Sequence, residues 1–127
     1  MKLRFDKNSL RLRIKKSELE MLRIKTAIHE TVLFPNGHFA YDLSVRSDTY
    51  EVIANLNEKS IEVILPSRLA NEWMNSEEVG IYHTISFGKD RSLDIVVEKD
   101  FPCKDRPTED NSDTFKELVE KKSDVVC

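Results

Sequence analysis

The sequence predicts a single α+β domain with a mainly antiparallel, curled sheet, barrel-like or in two layers, and two or three short helices. Three observations predict this class. The 127 residues are enough for one hydrophobic core and too few for two. Apolar and polar residues alternate in several segments, as in half-buried strands. These segments follow one another through hairpin turns, without the alternating helices of a parallel sheet. We expect the domain to span residues 1–112, followed by a helical or frayed tail over 113–127.

The first two strands are predicted to form a hairpin with one apolar and one basic face. The apolar residues that alternate with polar ones are Leu3, Phe5, Leu10, Leu12 and Ile14. Lys7-Asn8 suits a tight turn between the strands, because Asn tolerates turn conformations. This turn places Lys2 opposite Arg13 and Arg4 opposite Arg11. Like charges that face each other are destabilising, so the basic face needs a compensating anion or full solvation.

Turn and capping signals predict the elements that follow. Ser17-Glu18-Leu19-Glu20 is a capping-box pattern and predicts a helix to about Lys25. Asn36-Gly37 is a strong hairpin signal, and a turn at these residues would place His38 opposite Pro35. The other predicted elements are strands over 28–34, 38–45, 50–54, 61–65, 79–87 and 93–98, a helix capped by Ser67 and ending near Asn75, and a last helix over 114–122 with Asp113 as its cap.

Charge is distributed unevenly along the chain. The net charge is −3, but residues 1–25 hold nine Lys or Arg and only three Asp or Glu, so the remainder is acidic. Three hypotheses account for the basic hairpin. Carboxylates of the chain itself, such as Asp94, Glu98 or Glu109-Asp110, neutralise it. Alternatively, its arginines grip a phosphate or carboxylate ligand, or its side chains are simply solvated.

Composition excludes several classes of protein. No apolar run approaches the roughly 20 residues of a membrane span, and the first residues lack the apolar stretch of a signal peptide. We therefore expect a cytoplasmic protein without membrane contact. Cys103 and Cys127 have no CxxC partner, and we expect no structural disulfide. The acidic net charge and the lack of an RRM or KH signature argue against a nucleic-acid partner.

The residues that could carry acid–base or metal chemistry are scattered. His29 and His38 lie too far apart along their hairpin to share a metal, and His83 falls on the apolar side of its strand. Zinc-binding spacings are missing, so we expect no metal and no cofactor. Glu30 shares a face with apolar residues, where it is either a tuned acid or base or an edge residue with access to water.

Cys103 is the candidate reactive thiol. Arg106 and the neighbouring lysines would favour a thiolate nucleophile at this position. The segment contains no histidine, however, and the phosphatase signature HCxxGxxR is absent. The sequence therefore shows no complete catalytic set, and whether the protein is an enzyme stays open.

Several segments form a recognisable group. They are N-S-L-R-L-R-I at 8–14 followed by Ser17-Glu18, L-P-S-R-L-A-N-E-W at 65–73, E-V-G-I at 78–81, and L-D-I-V-V-E-K-D-F-P-C at 93–103, then Arg106 and Glu109-Asp110. Together they resemble a family of small, uncharacterised bacterial proteins filed as a domain of unknown function. The segments occur in the family's order over nearly the whole chain. After Asp113 this sequence departs from the family pattern, which usually ends soon after that point.

The resemblance implies a bacterial, cytoplasmic protein of one domain and supplies no activity or catalytic residue. It draws attention to the basic strand near the start and to the stretch at 98–106, and we hypothesise that these two segments are neighbours. The carboxylates that would then neutralise Arg4, Arg11 and Arg13 are Glu98, Asp100 and Glu109-Asp110.

We expect a small cytoplasmic binding or interaction module without catalysis. The alternative is a binder of, or an enzyme acting on, a phosphorylated or other anionic small molecule held by the arginine cluster. A homodimer built on an unpaired strand edge is a third hypothesis. The candidates for anion binding or structural ion pairing are Lys2, Arg4, Arg11, Arg13, Glu98, Asp100 and Arg106.

Overall fold

A computed structural model describes residues 1–101 and 112–118 of the chain. The described part has eight strands and two α-helices, followed by a short 3₁₀ turn at Lys116–Leu118. In chain order the elements are β1 (Lys2–Asp6), β2 (Ser9–Ile14), α1 (Lys16–Lys25), β3 (Ala27–Phe34), β4 (Gly37–Arg46), β5 (Ile53–Asn57), β6 (Ser60–Pro66), α2 (Ser67–Met74), β7 (Gly80–Phe87) and β8 (Arg91–Lys99). Within these residues, no helix is long and apolar enough to cross a membrane.

The strands form two open, mixed sheets. The first sheet has the order β1-β2-β8-β7 and the second has the order β3-β4-β6-β5. In each sheet two antiparallel hairpins meet through a central parallel pair, β2 with β8 and β4 with β6. The α+β class is confirmed, but the prediction of a mainly antiparallel, curled sheet is wrong, because the sheets are mixed and not closed. Alternation identifies a strand but says nothing about which distant strand will lie beside it.

The two halves of the chain have the same connectivity. Residues 2–46 and residues 53–99 each form a hairpin, a helix and a second hairpin, and each half contributes one hairpin to each sheet. The registers of the central pairs correspond as well. Ser9, the first residue of β2, lies opposite Asp94, the fourth residue of β8. Ser60, the first residue of β6, lies opposite Ala40, the fourth residue of β4. Positions in the paired strands of one half therefore have equivalents in the other, although the sequence shows no internal repeat.

One hydrophobic core joins both sheets and both helices. Its central residues come from the inner faces of β2, β4, β6 and β8 and include Leu12, Leu43, Val63 and Val97. Trp73 of α2 is completely buried, and its indole Nε1–H donates to the Val79 carbonyl oxygen at 3.0 Å. This bond satisfies the polar atom of a large buried side chain, as burial requires.

Several predicted details of register and strand position can be compared with the structure. The register of the first hairpin is confirmed, with Lys2 opposite Arg13 and Arg4 opposite Arg11. The predicted turn at Asn36-Gly37 is wrong, because Phe34 pairs with Gly37 and the turn is Pro35-Asn36. His38 therefore lies opposite Leu33. The fifth strand runs over Ile53–Asn57 rather than 50–54, because a two-residue turn at 58–59 follows it directly.

Both helices begin earlier than their serine signals predict. Helix α1 starts at Lys16, and the Glu18 carboxylate accepts a hydrogen bond from the Lys15 backbone N–H at 3.0 Å. Pro66 is the residue that precedes α2, so Ser67 is already helical. Asp113, predicted to cap a last helix, instead accepts a hydrogen bond from the Ser17 backbone N–H at 3.1 Å and also contacts the Ser17 hydroxyl. Asp113 is thereby fixed to the first turn of α1.

Candidate functional site

Charged side chains occupy the outer face of the first sheet, opposite the hydrophobic core. We call Lys2, Arg11, Arg13, Glu98 and Asp100 the ion cluster. Pairing of the strands places Lys2, Arg13 and Glu98 side by side across β1, β2 and β8. In the next strand, Gly80 lies opposite Glu98. The ion cluster therefore lies across the middle of the sheet, where strands from the two ends of the described chain meet.

Each carboxylate of the ion cluster is close to two cations. Arg13 Nε donates to Glu98 Oε1 at 3.0 Å, and Arg11 Nε lies 3.6 Å from the same oxygen. Lys2 Nζ lies 3.1 Å from Asp100 Oδ2, and Arg13 Nη1 lies 4.0 Å from Asp100 Oδ1. Three positive charges thus surround two negative ones, and Arg13 contacts both carboxylates.

The centre of the ion cluster is buried even though it lies on the outer side of a sheet. Arg13, Glu98 and Asp100 are 7%, 2% and 1% exposed. The guanidinium of Arg13 also stacks on Phe101, with its Cζ 4.6 Å from the ring centroid, a cation–π contact that shields it from water. A charge that is removed from water needs a partner, because an unpaired buried charge costs several kcal/mol.

The backbone around Asp100 ties the ion cluster to the last described segment. The Asp100 N–H donates to the Ile14 carbonyl oxygen at 2.8 Å, and the Asp100 carbonyl oxygen accepts from the Phe115 N–H at 2.7 Å. Asp100 is thus fixed between the end of β2 and the residues that follow Ser112. Its carboxylate is held by charge, since its oxygens meet no donor with hydrogen-bond geometry in the described part of the chain.

The structure brings some of the candidate residues together and leaves others apart. Lys2, Arg11 and Arg13 meet Glu98 and Asp100 in the ion cluster. Arg4 is exposed and has no ion pair with any residue of 1–101 or 112–118. Asp94 accepts a hydrogen bond from the Thr84 hydroxyl at 2.7 Å and pairs with no arginine of the described residues. The candidates Arg106, Cys103 and Glu109-Asp110 lie outside the described residues, as does Cys127.

The histidines and Glu30 have separate surroundings. His29 contacts Asp42 and Thr31 on an exposed face. His83 is half-buried opposite Ile95, on the inner face of its strand. Among the described residues, no three His, Cys, Asp or Glu side chains are grouped so that they could hold a metal ion. Glu30 accepts a hydrogen bond from the Met1 amino group at 3.0 Å. Burial raises the pKa of Glu30, but this bond and the positive charge outweigh burial and hold it below its usual value.

A second feature, an apolar groove, was not predicted from the sequence. In the first sheet the β1–β2 turn lies beside the β7–β8 turn, and in the second the β3–β4 turn lies beside the β5–β6 turn. We call this side of the molecule the hairpin end. The groove there has a volume of about 390 Å³ and contacts both sheets. It is lined by Phe5, Leu10, Phe39, Ala54, Asn55, Leu56, Ile61 and Leu93.

Comparisons with known proteins identify a family but no activity. A family model described as a family of unknown function, DUF7009, matches residues 1–118. No curated protein and no solved structure matches the chain. The resemblance to an uncharacterised family that the sequence shows is thereby confirmed.

Gly80 is predicted to be required for the position of Glu98. A Cβ at residue 80 would lie 2.8 Å from Glu98 Cβ and 2.8 Å from the Val97 carbonyl oxygen, both on the neighbouring strand. Gly80→Ala should therefore lower the free energy of unfolding by about 1–3 kcal/mol, as overpacking does. Urea unfolding measures this, with the exposed Ser86→Ala on the same strand as a control of small effect. A Gly80→Ala protein as stable as the wild type would contradict the geometry.

The buried pair of Arg13 and Glu98 is predicted to be strongly coupled. Either Arg13→Met or Glu98→Gln removes the closest partner of a buried charge, and the longer contacts of Glu98 with Arg11 at 3.6 Å and of Arg13 with Asp100 at 4.0 Å do not replace that hydrogen bond. Each change should lower the free energy of unfolding by about 3 kcal/mol. The double variant should lose clearly less than the sum of the two, because neither charge of the pair is then buried without its closest partner. A double-mutant cycle by urea unfolding measures the coupling. The exposed pair Arg46 and Asp48, whose Nε and Oδ1 lie 2.9 Å apart, is the matched control and should show a smaller coupling. Additive effects of the two changes in the buried pair would show that they do not interact.

Proposed function

The chain belongs to DUF7009, a family of unknown function, and we propose that it is a small cytoplasmic binding module that associates with a second copy of itself through the apolar groove. The observation that carries the proposal is the combination of a groove and exposed apolar side chains on one surface. The module needs no catalytic group for this role.

The groove is lined by equivalent positions of the two halves of the chain. Phe5 and Leu56 occupy equivalent positions, because each is the second-to-last residue of the first strand in its half. Leu10 lies opposite Phe5, and Ile61 lies opposite Leu56. Both are buried and form the floor of the groove. Phe5 is 58% exposed and Leu56 is 79% exposed, although both are large and apolar. Exposed apolar residues grouped at a groove are typical of an interaction site.

A second copy of the chain suits this surface because the surface is complementary to itself. A symmetric dimer uses the same patch on both partners, so that patch must offer both a cavity and the groups that fill it. Here the groove has a volume of about 390 Å³, and Phe5 and Leu56 project beside it. Phe34 and Phe87, at the ends of β3 and β7, add exposed apolar area at the hairpin end. Burial of each such side chain contributes about 1.5–3 kcal/mol.

The arrangement of the ion cluster supports a binding module over the alternative of an arginine-held anion. A phosphorylated or other anionic ligand at Arg11 and Arg13 would have to displace Glu98, which already lies 3.0 Å from Arg13 Nε. Arg4, the candidate without an ion pair in the described residues, lines a pocket that also contains the Asp6 carboxylate. Arg11 lines the same pocket but already lies 3.6 Å from Glu98, so a carboxylate is close to both arginines and makes this a weak site for an anion. The groove is therefore the surface on which we base the function.

Leu56→Asp is predicted to abolish self-association. The wild type should sediment as a dimer at micromolar concentrations, and the variant should be monomeric, because its carboxylate would be buried against the partner. Sedimentation velocity measures this, and the fluorescence of Trp73, which lies outside the groove lining, verifies folding. Ile24→Asp on α1 is the matched control, since Ile24 is 78% exposed and does not line the groove.

Two outcomes would contradict the proposed function. The first is a wild-type protein that remains monomeric up to about 1 mM, where an association of only about 4 kcal/mol would be visible. The second is a dimer that Leu56→Asp leaves intact while Ile24→Asp disrupts it, which would place the interface on α1.

A further inference from the structure

A second cavity lies away from the hairpin end, beside the beginning of α1. Ile14 and Lys99 are the last residues of the parallel pair β2 and β8, and helix α1 starts two residues after Ile14. The cavity has a volume of about 390 Å³ and is bounded by α1, by the chain that follows α2, and by residues of the last described segment. We call it the Lys99 pocket. Its apolar wall consists of Leu19, Met74, Phe115 and Leu118.

Lys99 is a buried cation with few partners. The residue is 4% exposed, and its ammonium donates one hydrogen bond, to the Ser76 carbonyl oxygen at 2.7 Å. Nζ also lies 5.7 Å from the centre of the Phe115 ring. An ammonium has three N–H donors, so two of them find no protein acceptor among residues 1–101 and 112–118. In the same residues no carboxylate lies within ion-pair distance of Nζ.

The other cations of the pocket have carboxylate partners. Arg23 Nε lies 3.1 Å from Glu20 Oε1, and Lys16 Nζ lies 3.5 Å from Glu117 Oε2. Burial and the nearby charge of Arg23 lower the pKa of Lys99, and more distant carboxylates oppose this. Among the described residues, Lys99 therefore has no carboxylate within ion-pair distance, and it lies next to an apolar wall. Glu77, the third carboxylate of the lining, acts on it from farther away.

We propose that the Lys99 pocket binds a small monocarboxylate with an apolar body. Its carboxylate would accept the two remaining N–H donors of Lys99, and its body would contact Leu19, Met74 and Phe115. A buried ammonium gains most from a partner that is both charged and a hydrogen-bond acceptor. The pocket volume lies within the range of small-molecule sites.

Charge favours a monocarboxylate over phosphate. A phosphate dianion would bring two negative charges to the single ammonium of Lys99. It would also face the carboxylates of Glu20, Glu77 and Glu117 on the wall of the pocket. Its hydration shell would be lost against the apolar wall without compensation. A carboxylate carries one charge, and a hydrocarbon or aromatic body replaces water at the apolar residues.

The test uses the full chain with hexanoate, benzoate, inorganic phosphate and hexanol as probes. Isothermal titration calorimetry should show hexanoate or benzoate binding with a dissociation constant of about 1 mM or below, and hexanol and phosphate binding at least about tenfold more weakly. Lys99→Met should weaken carboxylate binding about tenfold. Lys89→Met, in the exposed β7–β8 turn, is the matched control and should leave binding unchanged.

A second measurement does not depend on the folding of a variant. With lysine labelled at ¹³Cε, the carboxylate should shift the Lys99 signal of the wild-type protein and leave the Lys89 signal in place. The proposal is overturned if neither carboxylate binds at about 10 mM, if Lys99→Met binds as well as the wild type, if phosphate binds more tightly than hexanoate, or if the Lys99 signal does not move at saturation.

Discussion

The hydrogen bond between Arg13 and Glu98 is the interaction on which the arrangement of the first sheet depends. It joins neighbouring central strands that are 85 residues apart in sequence, on the face of the sheet opposite the core. Both charges are buried, so the pair is stable only if the neighbouring residues supply further charge, shield it from water and leave it room. Arg11 and Lys2 supply further positive charge, Phe101 covers the guanidinium, and Gly80 leaves room for Glu98. Asp100 then connects this region to the Phe115 backbone.

This interaction also explains the uneven distribution of charge along the sequence. The basic start of the chain is a property of one hairpin face, and three of its four cations meet carboxylates near the end of β8. The two surfaces that we propose for binding are of a different character. One is the apolar groove at the hairpin end, and the other is the Lys99 pocket, where the cation belongs to the inner face of β8. The two halves of the chain share a connectivity, but the ion cluster is specific to one sheet, because the positions equivalent to Arg13 and Glu98 are Ile64 and Ser44.

The sequence was a good guide to local structure and a poor guide to the order and direction of distant strands, although the strand near the start was expected to lie beside the stretch that begins at Glu98. Alternation around Lys7-Asn8 predicted the register of the first hairpin and its basic face, because a two-residue turn fixes both. Alternation could not predict that β2 pairs in parallel with β8, because parallel and antiparallel strands show the same alternation of apolar and polar residues. The hairpin signal at Asn36-Gly37 was displaced by one residue, because Pro35 and Asn36 form the turn and Phe34 pairs with Gly37. The groove was missed because Phe5 was assigned to the apolar face of its hairpin and Leu56 fell between the strands predicted over 50–54 and 61–65. Neither position indicates that the two hairpin ends meet. The position of Lys99 on an apolar face was a signal for the second pocket that could have been found.

The most direct test of the internal role of the ion cluster is a crystal structure grown from a sulfate-containing solution. Sulfate competes with carboxylates for arginine and would occupy a genuine anion site formed by Lys2, Arg11 and Arg13. The account predicts that Arg13 Nε remains within hydrogen-bond distance of Glu98, with Phe101 over the guanidinium and no sulfate among the three cations. A sulfate that bridges Arg11 and Arg13, with Glu98 turned away into solvent, would contradict it.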